Sequence, residues 1–235
     1  MGLVHVALVV LNLLSAGQSA PVTSCESLLQ PLEIQGRDQL LGRWTYIGES
    51  TDIPGSRTLT KMIVQTSWLN ITAGDSNDTI NTVQNQKAMG LCLTLSYKQT
   101  LKNNTISMEQ PYPGSAILLN TGCPDCLVFY SNYTIGESTY KGVQLLSRRP
   151  KVSITEMEEF RKQIMCLNLP KPAVLDPEKG FCFEEPQGMS FDLTDSFNSM
   201  SSDQLNKLDK LFRSEGGVQT IMDMISSAVD QVNPH

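Results

Sequence analysis

Leu41-Gly42-Arg43-Trp44-Thr45-Tyr46-Ile47, taken together with Arg148-Arg149-Pro150 further along, decides how this chain folds. A glycine two residues ahead of a tryptophan lets the backbone turn tightly into a first strand. The indole can then lie across one end of a barrel, where an arginine from the last strand stacks on its face. Short runs rich in β-branched and aromatic residues fill the interval: Trp44–Ile47, Lys61–Leu69, Thr79–Gln84, Gly90–Thr100, Thr105–Glu109, Ser115–Leu119, Cys126–Tyr133 and Tyr140–Leu146. Gly, Pro, Asn and Asp separate them, and no helical period intervenes. Eight short strands at near-regular spacing predict an all-β domain, an antiparallel barrel or sandwich.

Residues 1–20 are expected to be a cleaved secretory signal. Leu3-Val4 and Ala7-Leu8-Val9-Val10-Leu11 form a short apolar core, followed by small residues from Ser15 to Ala20. The run is shorter than the roughly 20 residues of a membrane span, and no other segment is a candidate. A secreted, extracellular protein of plasma or body fluid, without stable membrane insertion, is the expectation. The net charge of −6 argues against a nucleic-acid partner, which needs a basic face. Six cysteines, an even number in an oxidising compartment, point to disulfides whose connectivity the spacing alone does not choose. Cys123-Pro124-Asp125-Cys126 lacks both the second ligand pair of a zinc site and the βαβ setting of a redox motif. It reads as a local structural disulfide. Asn70, Asn77, Asn103 and Asn132 each open an Asn-x-Thr acceptor, and four so close together suggest a glycoprotein.

The period changes after the eighth run. Met157, Phe160, Ile164 and Leu167 recur at helical spacing, and Ser153 with Glu156 forms a capping box. This predicts one amphipathic helix flanking the barrel, ended by Pro170 and Pro172. Glu184 to Gly188 marks a boundary, so the expected layout is a signal at 1–20, a domain at 21–185 and an extension at 186–235. The extension carries two apolar stripes, one of Leu205, Leu208 and Leu211 and one running from Val218 through Ile221, Met222, Ile225 and Val229 to Val232. The second stripe is flanked by Asp223 and Asp230 with no cation, which suits packing on the barrel or on a second copy better than an anionic membrane. Nothing in the sequence chooses an oligomeric state.

A leader, a Gly-x-Trp opening the first of eight strands, a Ser-Arg after the last and then one helix together resemble a lipocalin. The resemblance covers residues 25–185. Leu41 to Ile47, and the stretch from Leu145 through Glu158-Glu159-Phe160 to Cys166-Leu167, are similar to the α1-acid glycoprotein and apolipoprotein M group, nearest its fish tributyltin-binding and saxitoxin/tetrodotoxin-binding plasma members. The resemblance implies an eight-stranded antiparallel up-and-down barrel. It implies Gly42, Trp44 and Arg148 as the structural motif, and the pairings Cys25–Cys166 and Cys92–Cys182. That leaves Cys123 with Cys126, where the apolipoprotein M pattern pairs the first of these with a helix cysteine that this chain lacks.

Strand alternation puts Trp44, Tyr46 and Gly48 on one face. Alternation and strand matching then make Tyr46, Met108, Leu127, Phe129, Gln144 and Leu146 the candidate wall of a ligand cavity. Such a wall, apolar and containing Met, suits a small hydrophobic or toxin-like ligand. A cationic toxin would need an inward carboxylate, which Glu49, Glu109 or Glu137 near strand ends could supply, although each reads more readily as a solvated surface charge. Enzyme chemistry has little to work with: the two histidines are His5 in the leader and His235 at the C-terminus. No Ser-His-Asp or Cys-His site can be built on the barrel from these, and no metal site or cofactor is expected. Reversible carriage of a small ligand is therefore the expected function. The alternative is an acute-phase, immune-modulating or lipoprotein-associated interaction protein. A barrel plugged by its own side chains would favour that alternative, and a cavity of some hundreds of Å³ would favour carriage.

Overall fold

The computed structural model describes residues 24–184 and 190–232. The expected leader, the expected boundary at 185–186 and His235 lie outside the described residues. Eight antiparallel strands close into one barrel: β1 Gly42–Thr51, β2 Val64–Ala73, β3 Thr79–Ala88, β4 Leu91–Lys102, β5 Thr105–Met108, β6 Gly114–Leu119, β7 Cys126–Ile135 and β8 Ser138–Ser147. Each strand pairs with its sequence neighbours, and β8 returns to β1. Two short strands are added: β9 Ala173–Val174 pairs with β1, and β10 Ser190–Asp192 runs parallel to β4. The helices are α1 Cys25–Leu28, α2 Ser56–Ile63, α3 Ile154–Cys166, α4 Thr194–Asn198, α5 Ser202–Arg213 and α6 Gly217–Val232. No helix among the described residues is long and apolar enough to cross a membrane.

Gly42 and Trp44 form the closed end. Gly42 has φ +95°, and the Arg148 guanidinium lies 3.0 Å from where a Cβ would stand. Its Cζ sits 3.4 Å above the Trp44 ring. Its two terminal nitrogens donate to the carbonyls of Arg43 and Leu41, at 2.8 and 2.6 Å. The Trp44 indole N–H donates to the Leu40 carbonyl at 2.7 Å, so the ring is fixed from both sides. One arginine thus ties the end of β8 to the start of β1 and covers the floor.

Ser153 caps α3 through a capping box with Glu156, as its sequence suggests. Phe160 and Ile164 from this helix pack on Ile47, Val128, Val143 and Leu145, the outward side chains of β1, β7 and β8. Phe160 is buried, and truncating such a side chain to Ala costs about 3–5 kcal/mol. The disulfides are Cys25–Cys166, Cys92–Cys182 and Cys123–Cys126, with no free cysteine among the described residues.

Two elements differ from the sequence pattern. Lys61 to Ile63, predicted as the start of the second strand, belong to α2. Leu59 is buried while Met62 stays exposed, and the Val64 N–H closes the last helical turn on the Thr60 carbonyl, so the strand begins only at Val64. The extension opens with β10 and α4, two elements too short to leave a period in the sequence. Its longer helices α5 and α6 coincide with the two apolar stripes.

Candidate ligand cavity

The barrel interior is packed at the closed end and hollow above it. Leu40, Trp44, Tyr46, Leu118 and Leu127 belong to the buried cluster of the floor. Over that floor lies a cavity of about 320 Å³, at the lower edge of the roughly 300–1,000 Å³ typical of small-molecule sites. Met108, Phe129, Gln144 and Leu146, four of the six expected wall residues, line it. Tyr46 and Leu127 face the same interior but lie in the floor beneath it.

Tyr46 reaches the cavity through a residue that alternation alone misplaces. β1 and β8 pair at Tyr46–Leu146 and next at Gly48–Leu145, so Ile47 is a bulge. Ile47 keeps the outward place that alternation gives it, in the cluster beneath α3, and the slip reverses the residues that follow. It also brings Gly48 against β9, where a Cβ would stand 2.6 Å from the Ala173 carbonyl oxygen. Gly48 therefore leaves the face that plain alternation gives it, and Glu49 takes the inward place. Glu49 pairs with inward Gln144 and lines the cavity. Glu109 and Glu137 are exposed, as expected.

Glu49 is the one charged side chain on the cavity wall among the described residues. The Tyr46 hydroxyl donates to its Oε2 and the Thr60 hydroxyl to its Oε1, each at 2.6 Å. These bonds fix the carboxylate in place, with no basic side chain among its hydrogen-bond partners. Tyr97, Tyr112 and Tyr133 stand around the same cavity. Burial, reinforced by the Glu49 charge, raises the Tyr46 and Tyr112 phenols above their ordinary range. Burial likewise raises Tyr97 and Tyr133. All four are protonated at neutral pH. Tyr46 is committed to Glu49, and Tyr133 exchanges a hydrogen bond with Thr51 at 2.7 Å. Among the described residues, the Tyr97 and Tyr112 hydroxyls have no such partner and are free for a guest. The site thus offers a wall of aliphatic and aromatic side chains interleaved with neutral polar ones such as Thr82, Gln84, Gln99 and Gln144, two uncommitted phenols and one fixed negative charge.

The sequence model of the lipocalin / cytosolic fatty-acid binding protein family matches residues 41–180, more than half of the chain. The chain belongs to that family. Among solved structures, the lipocalin is similar to the siderocalin Ex-FABP, described as functioning through dual ligand specificities. The TM-score is 0.53 at 17% identity, over 66% of this chain and 99% of that one, a likeness of fold. No curated protein matches the sequence.

Several cavity residues escape the sequence reading. Tyr133 follows Phe129 by four residues, so extending the alternation along β7 would have found it, whereas Tyr97 lies on β4, a strand from which the expected wall takes no residue. Glu49 is one of three candidate carboxylates, and the bulge at Ile47, for which the sequence gives no sign, is what singles it out by turning it inward. Phe197 lines the cavity from α4, in an extension the family match does not reach. Of the glycan acceptors, Asn77, Asn103 and Asn132 are exposed and Asn70 is half-buried on β2.

Proposed function

We propose that this lipocalin is a secreted, glycosylated carrier that reversibly binds one small amphipathic molecule inside its barrel. The ligand class is a xenobiotic or toxin with a hydrophobic body and a cationic head. The observation that carries this reading is Glu49, a lone carboxylate on an otherwise uncharged wall. The apolar part of the wall, including Leu69, Ile71, Ile106 and Phe129, favours burial of the ligand body, at about 25 cal/mol per Å² before the costs of immobilisation. Glu49 then favours a positive head, and phenol rings offer faces to it. An anionic headgroup would meet a fixed negative charge and no cation. Within the family, this chemistry suits the α1-acid glycoprotein and apolipoprotein M group and its organotin- and toxin-binding fish members. The cavity volume favours carriage over a protein acting through its surface alone.

Native mass spectrometry of the secreted, deglycosylated protein tests the reading, with a trialkyltin, a guanidinium toxin and an anionic lysolipid offered in turn. A one-to-one adduct with a cationic guest and none with the anionic lysolipid is the expected result. No adduct with any of them, from a correctly disulfide-bonded barrel, would overturn carriage in favour of a surface-interaction role. N-terminal sequencing of the same material should begin close to residue 21, whereas a lipoprotein-anchored form would retain residues 1–20.

A further inference from the structure

The barrel wall has a weak seam. β4 pairs with β5 only at Thr100, Leu101 and Lys102. Its remaining length, Leu91 to Gln99, is paired with β3 on one side and receives nothing from β5 on the other. An open strand edge beside a ligand cavity leaks water and invites pairing with other chains. The C-terminal extension occupies this edge. β10 lies beside Cys92–Thr94, and the Leu193 N–H donates to the Thr94 carbonyl at 2.9 Å. The Ser96 N–H donates to the Thr194 hydroxyl at 2.9 Å, and the Asn198 amide donates to the Ser96 carbonyl at 3.3 Å.

From there the extension crosses the mouth. α4 places Phe197 on the cavity wall, edge-to-face with Tyr112, with ring centres 6.0 Å apart. α5 then packs Leu205, Leu208 and Phe212 on Ile53, Ile135 and Tyr140 at the rim. The turn between β7 and β8 is shaped for this contact. At Gly136, with φ +60°, a Cβ would stand 2.9 Å from Asp209 and 3.0 Å from the Asn206 backbone. Asp209 is buried there, accepting hydrogen bonds from the Tyr140 hydroxyl at 2.6 Å and the Ser138 hydroxyl at 2.9 Å. Arg213 donates to the same Ser138 oxygen at 3.0 Å. α6 ends the path on α2, with Val218 against Gly55.

We propose that residues 190–213 are a latched lid on the cavity: Phe197 contacts the ligand and limits its size, and the Asp209–Tyr140 contact sets the rate of exchange. The proposal rests on the carriage reading for the existence of a guest, but the lid itself is a property of the empty barrel. A rim held by one small apolar cluster and the Asp209 hydrogen bonds, unlike the disulfide-tied barrel wall, is the part of this molecule that can open without unfolding it.

The test uses the full chain and two readouts. Stopped-flow binding of the neutral probe N-phenyl-1-naphthylamine reports ligand exchange. Maleimide labelling of a Gln144→Cys thiol, in a chain whose described cysteines are all paired, reports access to the cavity without any ligand. Asp209→Ala should raise association, dissociation and labelling rates at least tenfold while the probe Kd moves less than threefold. Phe197→Ala should speed labelling by a bulky fluorescein maleimide more than by N-ethylmaleimide. Tyr140→Phe removes a single hydroxyl from the latch and serves if Asp209→Ala fails to fold. Labelling and exchange rates that ignore all three substitutions would overturn the lid while leaving carriage intact. A probe that never binds, with labelling still latch-dependent, would support the lid and count against carriage of neutral guests.

Discussion

Replacing Glu49 by Gln should separate charge from shape in the cavity. The carboxylate accepts one hydroxyl on each oxygen, from Tyr46 and Thr60. A glutamine keeps the side-chain outline, retains one acceptor and turns its NH₂ toward a hydroxyl that can itself accept, so the barrel stays folded. A quaternary ammonium about 5 Å from the carboxylate gains roughly 3 kcal/mol at an effective dielectric near 20. Glu49 is half-buried, and screening by water brings the expected loss to about 2 kcal/mol, roughly thirtyfold in Kd. Isothermal titration with decyltrimethylammonium and with 1-decanol, which share a chain and differ in charge, measures the effect. The cation should weaken by that factor while the alcohol changes less than threefold. The Tyr46 phenol, raised by burial and then by Glu49, should also titrate at lower pH in the variant. A ratio of the two dissociation constants that is the same in both proteins would mean that Glu49 does not recognise the charge of the guest.

The remaining predictions concern the frame around the cavity. Replacing Cys25 and Cys166 by Ser opens a crosslink spanning 141 residues and should cost roughly 5 kcal/mol, against about 2 kcal/mol for Cys123 and Cys126, three residues apart, as measured by urea unfolding. Gly48→Ala forces a methyl against the Ala173 carbonyl and should cost about 1–3 kcal/mol, with amide exchange at Leu175 accelerating as β9 detaches. Acidification should destabilise the fold in a defined sense. Hydrogen bonds from Arg149 hold Asp125 and Glu156 below their ordinary values. Burial pushes Asp209 up, but hydrogen bonds from Tyr140 and Ser138 together with the Arg213 charge outweigh it and leave Asp209 below its ordinary value. Depressed carboxylates contribute stability that is complete above their unfolded values, about pH 4, and is lost as pH falls through the folded ones. Thermal unfolding should therefore be flat from pH 7 to 5 and decline below pH 4, with a shallower decline in Asp209→Asn.

The parts of the fold written in local chemistry were legible in the sequence. Gly42 and Trp44 define a strand start whatever surrounds them, and Ser153 with Glu156 is a helix start that needs no tertiary partner. The barrel strands showed as β-branched runs between turn residues, because one face of each is buried. What escaped depends on pairing between distant segments. The bulge at Ile47 is a matter of register where β1 is held between β8 and β9, and it decides that Glu49 points inward. β10 forms because β4 has an edge that short β5 does not cover, a fact about β5 that nothing near residue 190 records. Phe197 enters the site for the same reason.

Whether the guest sits inside the barrel is settled by equilibrium dialysis of decyltrimethylammonium against the native chain and Ala116→Trp. Ala116 lines the cavity, and an indole there occupies the guest's space without touching the outer surface. The native protein should show one site, and Ala116→Trp at least a tenfold loss of affinity with unchanged far-ultraviolet circular dichroism. Equal binding by both proteins would place the guest elsewhere and contradict a site inside the barrel.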